Sequence, residues 1–238
     1  MSSGGLATKR VTRVLLLPIA FAIPFSIAAL AQSVAHNGSN KEDSKQAAAD
    51  DVWNSLVDGN RRFVDGKPQS RDIVSRRRSL EKNQHPLVAV LSCSDSRVPP
   101  EVIFDQGLGD LFVVRTAGNS ADPLGIGSLE YAVEHLGTVV IVVLGHESCG
   151  AVTAACSEEK MPTTNLEAVV QPVAQSCSVA KQEHKSDVVD FAIKDHVHRT
   201  ARALLAHSTI LKHAHDEGKL SIIEAYYSLD SGAVTRLH

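Results

Sequence analysis

Two short stretches hold the residues of this chain whose types and spacing suit chemistry. In "LSCSDSRVPPE", residues 91–101, a thiol, a carboxylate and a guanidinium recur at every second position as Cys93, Asp95 and Arg97. Side chains at i, i+2 and i+4 of an extended segment point to the same side. The spacing therefore predicts that these three share one face, with Ser94 and Ser96 turned away to satisfy loop backbone. In "GHESCG", residues 145–150, His146 and Cys149 stand three apart. Two sulfurs and one imidazole suit zinc, and three protein ligands leave open the fourth position that a catalytic zinc keeps for water or substrate. A structural zinc site needs a fourth protein ligand. Cys156 is a poor candidate, because seven helical residues beyond Cys149 carry it about 10 Å along the axis; Asp95 is a better one. A lone cysteine is most simply a small buried apolar residue, and a lone histidine a hydrogen-bonded core group. Here both thiols and the imidazole fall at strand ends, beside an aspartate and an arginine.

The elements that must position these groups are legible as periodicities. "PLVAVLSC" (86–93), "LFVVRTAG" (111–118) and "TVVIVVLGH" (138–146) are short apolar runs rich in β-branched residues, which predicts three buried strands. "DPLGIGSLEYAVEHLG" (122–137) reads as a helix with Asp122 as N-cap, Pro123 at its first position and Gly137 past its end. "SCGAVTAAC" (148–156) opens another helix, whose N-terminus near Ser148 favours a thiolate at Cys149. Further helices are expected from Val52 to Phe63, with Val52, Trp53, Leu56 and Val57 on one side, from Ile73 to Lys82, and throughout 163–215. "SIIEAYYSLDSGAVTRL" (221–237) reads as a strand, a tight Asp-Ser-Gly turn and a short partner. Apolar strands alternating with helices give the fold class: α/β, with a mostly parallel central sheet flanked by helices. Ligands sit beyond the carboxyl ends of such strands. That architecture brings Cys93 and His146 together across the 53 residues that separate them.

Composition bounds the rest. The 238 residues are 43% hydrophobic, enough for one substantial core, and the 24 Lys+Arg and 27 Asp+Glu form no long single-sign block beyond Arg76–Arg78, so no nucleic-acid partner is indicated. In residues 1–31, Lys9, Arg10 and Arg13 precede an uncharged apolar run that ends in Ala29-Leu30-Ala31, a small-x-small cleavage pattern. The segment reads as an export signal, or as an uncleaved membrane anchor over 14–31. Either places the domain outside the cytoplasm, in the periplasm or its equivalent. Residues 32–50 read as a polar flexible spacer, and 51–238 as the functional domain. Of the four cysteines, Cys156 and Cys177 are left over from the metal set; in an exported chain they either pair across a short loop or remain two buried thiols.

"CSDSR" followed by "GHESCGAV" resembles the signature of beta-class carbonic anhydrases, and "DQGLGDLFVVRTAGN", "GSLEYAVEHLG" and "GKLSIIEAYYSLDSG" extend the likeness over residues 52–237. The resemblance implies that Cys93, His146 and Cys149 hold Zn2+ and that Asp95 and Arg97 form a catalytic dyad. It implies a homodimer or homotetramer, in which helices near the N-terminus embrace a neighbouring subunit. The implied reaction is reversible hydration of carbon dioxide to bicarbonate and a proton by zinc-bound hydroxide. Asp95 would accept a hydrogen bond from the nucleophile, and Arg97 would hold that carboxylate off the metal. Gly150 would let a helix N-terminus approach bicarbonate as substrate, or simply permit close helix-to-strand packing. One departure concerns a noncatalytic bicarbonate site: a Trp that some members carry three residues before the first zinc-binding Cys is here Val90, which puts inhibition through that site in question. A closed form with Asp95 on the metal stays open. Rival functions are hydrolysis of carbonyl sulfide or carbon disulfide on the same fold, and a noncatalytic zinc- or bicarbonate-binding module, against which an intact Asp95 and Arg97 argue. His196, His198, His207, His213 and His215 are expected at the surface, Arg76–Arg78 on a solvated helix face, and Trp53 as a core or interface anchor.

Overall fold

Three consecutive apolar runs become β1 (Val88–Cys93), β2 (Leu111–Thr116) and β3 (Val140–His146) of a five-stranded sheet completed by β4 (Ser221–Tyr227) and β5 (Val234–Arg236). The computed structural model describes residues 49–157 and 159–238. The leader 1–31 and the spacer up to residue 48 lie outside the described residues. Residues 49 and 50 are already helical and lead into α1, which runs to 64. Among the described residues no helix is long and apolar enough to cross a membrane.

The strand order is β2-β1-β3-β4-β5, parallel throughout except for the antiparallel β4–β5 hairpin. Every residue of β1 and β3 is buried, as expected of strands covered on both faces. Because successive side chains alternate, Val88, Val90, Val140, Val142 and Leu144 enter one core with Trp53 and Leu56 of α1. Ala89, Leu91, Ile141 and Val143 enter the other, against α4 (Pro123–Leu136), α8 (Val188–His207) and α9 (Thr209–Asp216). Trp53 is thus a core residue. Helix α4 starts and stops where its sequence signals stand: Asp122 accepts from the Gly125 N–H at 2.6 Å, Pro123 opens the helix and Gly137 closes it at φ +78°.

Two helical expectations are corrected. Helix α2 is shorter than the stretch to Lys82, ending as Ile73–Ser79; none of its residues is buried, and Arg76–Arg78 are exposed. The stretch 163–215 is not continuous. It comprises α6 (Thr164–Val170), a tighter turn at Gln171–Val173, α7 (Ala174–Gln182), α8 and α9. The breaks fall where Asp187 and Ser208 accept from the N–H groups of Asp190 (2.9 Å) and Leu211 (3.0 Å). Apolar spacing hides such breaks, because consecutive helices pack on the same core.

Helix α3 (Pro100–Ile103) follows the Asp95–Arg97 turn, and its exit is anchored by Asp105, which is 4% exposed. The Asp105 carboxylate accepts from Arg62 Nε of α1 at 2.5 Å, from Arg71 Nη1 at 2.6 Å and from the Gln69 N–H at 3.1 Å. Burial alone would raise this carboxyl, but the bonds from Arg71, Arg62 and Gln69 outweigh it and hold the group down at about 2. A depressed folded-state value means the cluster's stabilisation is complete above the ordinary aspartate range and is lost as pH falls toward 2. Asp105→Asn is therefore expected to cost about 3 kcal/mol in urea unfolding at pH 7. The gap to the wild type should narrow steadily between pH 4 and 2; a gap that is constant over that range would contradict the assignment.

Candidate metal centre

Strands β1 and β3 are hydrogen-bonded neighbours, with Ser92 opposite Leu144, so Cys93 and His146 end side by side at the carboxyl edge. The third group arrives by a turn. Ser148 takes φ +54°, a conformation of the order of 1 kcal/mol unfavourable for a residue with a Cβ. Cys149 follows it directly before α5 (Gly150–Ser157), and its carbonyl accepts from the Thr153 N–H at 2.9 Å. The two sulfurs are 4.0 Å apart, and the ligand atoms of Cys93, His146 and Cys149 all lie within 4.8 Å of one another. All three residues are buried, and among the described residues they form the group able to hold a metal ion.

The chemistry of these donors fits a cation. His146 Nδ1 donates to the Glu147 carbonyl at 2.8 Å, which leaves Nε2 as the free lone pair. That Nε2 is fully buried and has no hydrogen-bond partner, a cost a native site offsets when a metal occupies the lone pair. Cys93 is pulled well below an ordinary thiol, by its hydrogen bond with Cys149 first and by His146 and the Gly118 N–H after it, against the opposing effect of burial. Cys149 is pushed up by its bond with Cys93 and by burial, and the Val152 and Ala151 N–H groups of the α5 N-terminus only partly counter this. The protein donors alone stabilise one thiolate between two sulfurs; two buried thiolates need a positive charge between them.

Asp95 and Arg97 reach the same place by a different route from the alternation predicted for them. The strand ends at Cys93, and residues 95–98 form a turn closed by Val98 N–H to the Asp95 carbonyl at 3.0 Å. The turn folds Arg97 back on Asp95: Nε donates to Oδ1 at 3.0 Å, Nη2 to Oδ2 at 2.8 Å, and the Arg97 N–H to Oδ1 at 2.9 Å. This fork holds the Asp95 carboxyl far below the usual carboxylate range. Its Oδ2 lies 4.0 Å from His146 Nε2, at the edge of the ligand group. Ser94 and Ser96 are exposed, as expected of the outer side of the turn.

Several groups that hold the site were not picked out in the sequence. Arg115 of β2 donates to the Cys93 carbonyl at 3.0 Å and to the Asp95 carbonyl at 2.5 Å, fixing the main chain on both sides of Ser94. Its signal was available: it is the one charged side chain of its strand, directly after four apolar residues. The Gly118 N–H donates to Cys93 Sγ at 3.3 Å. Glu147 ties the His146 segment to the hairpin turn, accepting from Ser228 Oγ at 2.9 Å and the Asp230 N–H at 3.0 Å. Gly150 is exposed, and a Cβ there would meet nothing within 4 Å, so close helix-to-strand packing does not explain it. Val90 is fully buried in the core. His207, His213 and His215 are exposed as expected, but His196 is 3% exposed and His198 pairs with Glu224, which corrects the surface reading of those two.

Cys156 and Cys177 form a disulfide, so α5, which begins at the metal group, is tied to α7. Cys93 and Cys149 are free. Peptide mapping of unreduced protein is expected to yield a Cys156–Cys177 cross-linked pair. Recovery of both as alkylated free thiols would contradict it.

A carbonic anhydrase family model matches residues 88–234. The chain is similar to carbonic anhydrase 2 of Mycobacterium tuberculosis, 44% identical over 192 residues that cover 79% of this chain and 92% of the relative. It is also similar to the solved beta-carbonic anhydrase of Coccomyxa in complex with acetazolamide, at 27% identity and TM-score 0.63 over 69% of this chain and 77% of that one. A tetrameric beta-carbonic anhydrase of Sordaria macrospora superposes with TM-score 0.62 at 25% identity, covering 67% and 84% of the two chains.

Proposed function

The chain belongs to the beta-class carbonic anhydrase family, and from that membership we propose that it hydrates carbon dioxide reversibly at a zinc ion held by Cys93, His146 and Cys149. The observation that carries the reading is the buried three-donor group with its unpartnered imidazole nitrogen, set beside a carboxylate that is kept off it. When bound, zinc supplies Lewis acidity that makes water a nucleophile near neutral pH.

The remaining work falls to the chain's own residues. The Arg97 fork occupies both Asp95 oxygens, so the carboxylate is oriented and is not drawn into the ligand group. A carboxyl held so low is a poor proton acceptor at neutral pH but a strong hydrogen-bond acceptor. Asp95 therefore orients the attacking oxygen through its remaining lone pairs rather than keeping its proton. Arg97 is 54% exposed, which puts the dyad at the solvent edge where a released proton passes to bulk water. Gly150, with open space around it, leaves room for bicarbonate near the α5 N-terminus.

The proposal extends to assembly and location. Leu124, Tyr131, Val102 and Leu108 are exposed apolar side chains of a size that a homodimer or homotetramer would cover. The apolar leader and the Cys156–Cys177 bridge support an oxidising, extracytoplasmic compartment.

Purified protein is expected to carry about one zinc per chain, and Cys93→Ser, His146→Ala and Cys149→Ser to lose both metal and carbon dioxide hydration. Full activity in protein shown to be metal-free would overturn the reading. Asp95→Asn should keep its zinc but lose turnover by about 100-fold. Arg97→Ala should also be impaired, with X-ray absorption showing an added oxygen ligand as Asp95 swings onto the metal; wild-type turnover in both variants would exclude the dyad.

A further inference from the structure

Among the histidines expected at the surface, His196 is the one the metal reading leaves unexplained. It sits on the inner face of α8 between Ile193, Val197 and Thr200, and all four are buried. An apolar residue would pack there without the cost of burying an imidazole, so a polar choice calls for a polar task. Its Nε2 lies 3.2 Å from Ser120 Oγ and 3.4 Å from Thr200 Oγ1. Burial pushes the ring down to about 4, so it is neutral in the physiological range. Nε2 can accept from the Ser120 hydroxyl when the ring proton is on Nδ1. That atom has no hydrogen bond of normal geometry, although the Gly118 main chain is near enough to favour protonation of the ring.

Ser120 closes the turn that touches Cys93. Residues Ala117–Asn119 pass through the left-handed region at Gly118 (φ +75°) and Asn119 (φ +46°), and Thr116 Oγ1 donates to the Ser120 carbonyl at 3.0 Å. A Cβ on Gly118 would fall 3.1 Å from the Ala151 Cβ, so the turn is wedged against the start of α5. From that position the Gly118 N–H reaches Cys93 Sγ. A turn with a left-handed asparagine persists when its surroundings hold it. Helix α8 is a firm backing, since it lies so close to β3 that a Cβ on Gly145 would come within 2.6 Å of Val197 Cγ2.

We propose that His196 is a positioning residue for the metal centre: through Ser120 it holds the 117–120 turn so that the Gly118 N–H stays on the Cys93 sulfur. This rests on the reading that Cys93 is a metal ligand. The test uses the full zinc-loaded protein and follows zinc release to an excess of chromophoric chelator. His196→Leu and Ser120→Ala should each release zinc about 10-fold faster, as loss of an outer partner of a ligand typically does. Because both act on one contact, the double variant should be no faster than either single one. His196→Gln, whose side-chain amide can again meet the Ser120 hydroxyl, should restore slow release; a role in packing alone would not be rescued by it. Unchanged release in Ser120→Ala and His196→Leu, additive effects in the double variant, or a Gln variant as fast as Leu would each overturn the inference. Should His196→Leu fail to fold, Ser120→Ala and His196→Gln decide the same question. A wild-type chain that takes up no zinc would instead remove the metal reading itself, and the inference with it.

Discussion

The constraint on which this structure depends is the burial of three electron-pair donors with too few hydrogens among them. Cys93, His146 and Cys149 are removed from water, their ligand atoms are within 4.8 Å of one another, and the imidazole Nε2 has nothing to accept from. Desolvated donors of this kind are tolerated where a cation completes them. The rest of the chain is arranged to keep them converged. Two parallel strands supply the first two donors from adjacent carboxyl ends, and a strained turn at Ser148 supplies the third just ahead of α5.

The second requirement is that a fourth potential donor, an anionic one, stay near without joining. Asp95 meets it because its carboxylate is committed to Arg97 by two side-chain bonds and one main-chain bond. Its backbone is committed to Arg115, which also holds the Cys93 carbonyl. The pairing of a half-exposed guanidinium with a carboxylate would be worth little as a stabilising contact in its own right. Its value here is directional, since it decides which oxygens of Asp95 face the donors. The Asp105 cluster then fixes the chain just beyond α3, joining the site's loop to α1.

Support from behind comes from helices α7 and α8, which do not enter the site themselves. The Cys156–Cys177 bridge ties α5 to α7, and both helices share one apolar cluster with the two free cysteines. Helix α8 rests on β3 at Gly145 and meets the turn after β2, which touches Cys93, through His196 and Ser120. The three donors are thus held by hydrogen bonds and packing that the polypeptide makes among its own groups.

Much of this was legible in the sequence. Apolar runs without polar alternation identify β1 and β3, because strands covered on both faces have no solvated side to encode; the same signal finds β2 but overstates its burial, since it is an edge strand with none of its residues buried. Asp122, Pro123 and Gly137 mark both ends of α4, because capping is local chemistry. Cys93, His146 and Cys149 stand out by type and position, and Asp95 and Arg97 by their nearness to Cys93. What the sequence could not determine is anything set by contacts between distant segments. Alternation puts Asp95 and Arg97 on one strand face, whereas the chain turns at residue 95 and the guanidinium folds back. Helical spacing ran on across Asp187 and Ser208, because the cores on both sides of each break continue. Nothing in the sequence separates His196 from the solvated histidines, since a periodicity does not say which neighbour covers a face; packing against the turn at Gly118 makes it an interior group. The donors were therefore chosen locally, while their distances, protonation and the groups that hold them were decided by the tertiary structure, where residues 76 positions apart, as Ser120 and His196 are, or 83 apart, as Glu147 and Asp230 are, meet within a hydrogen bond.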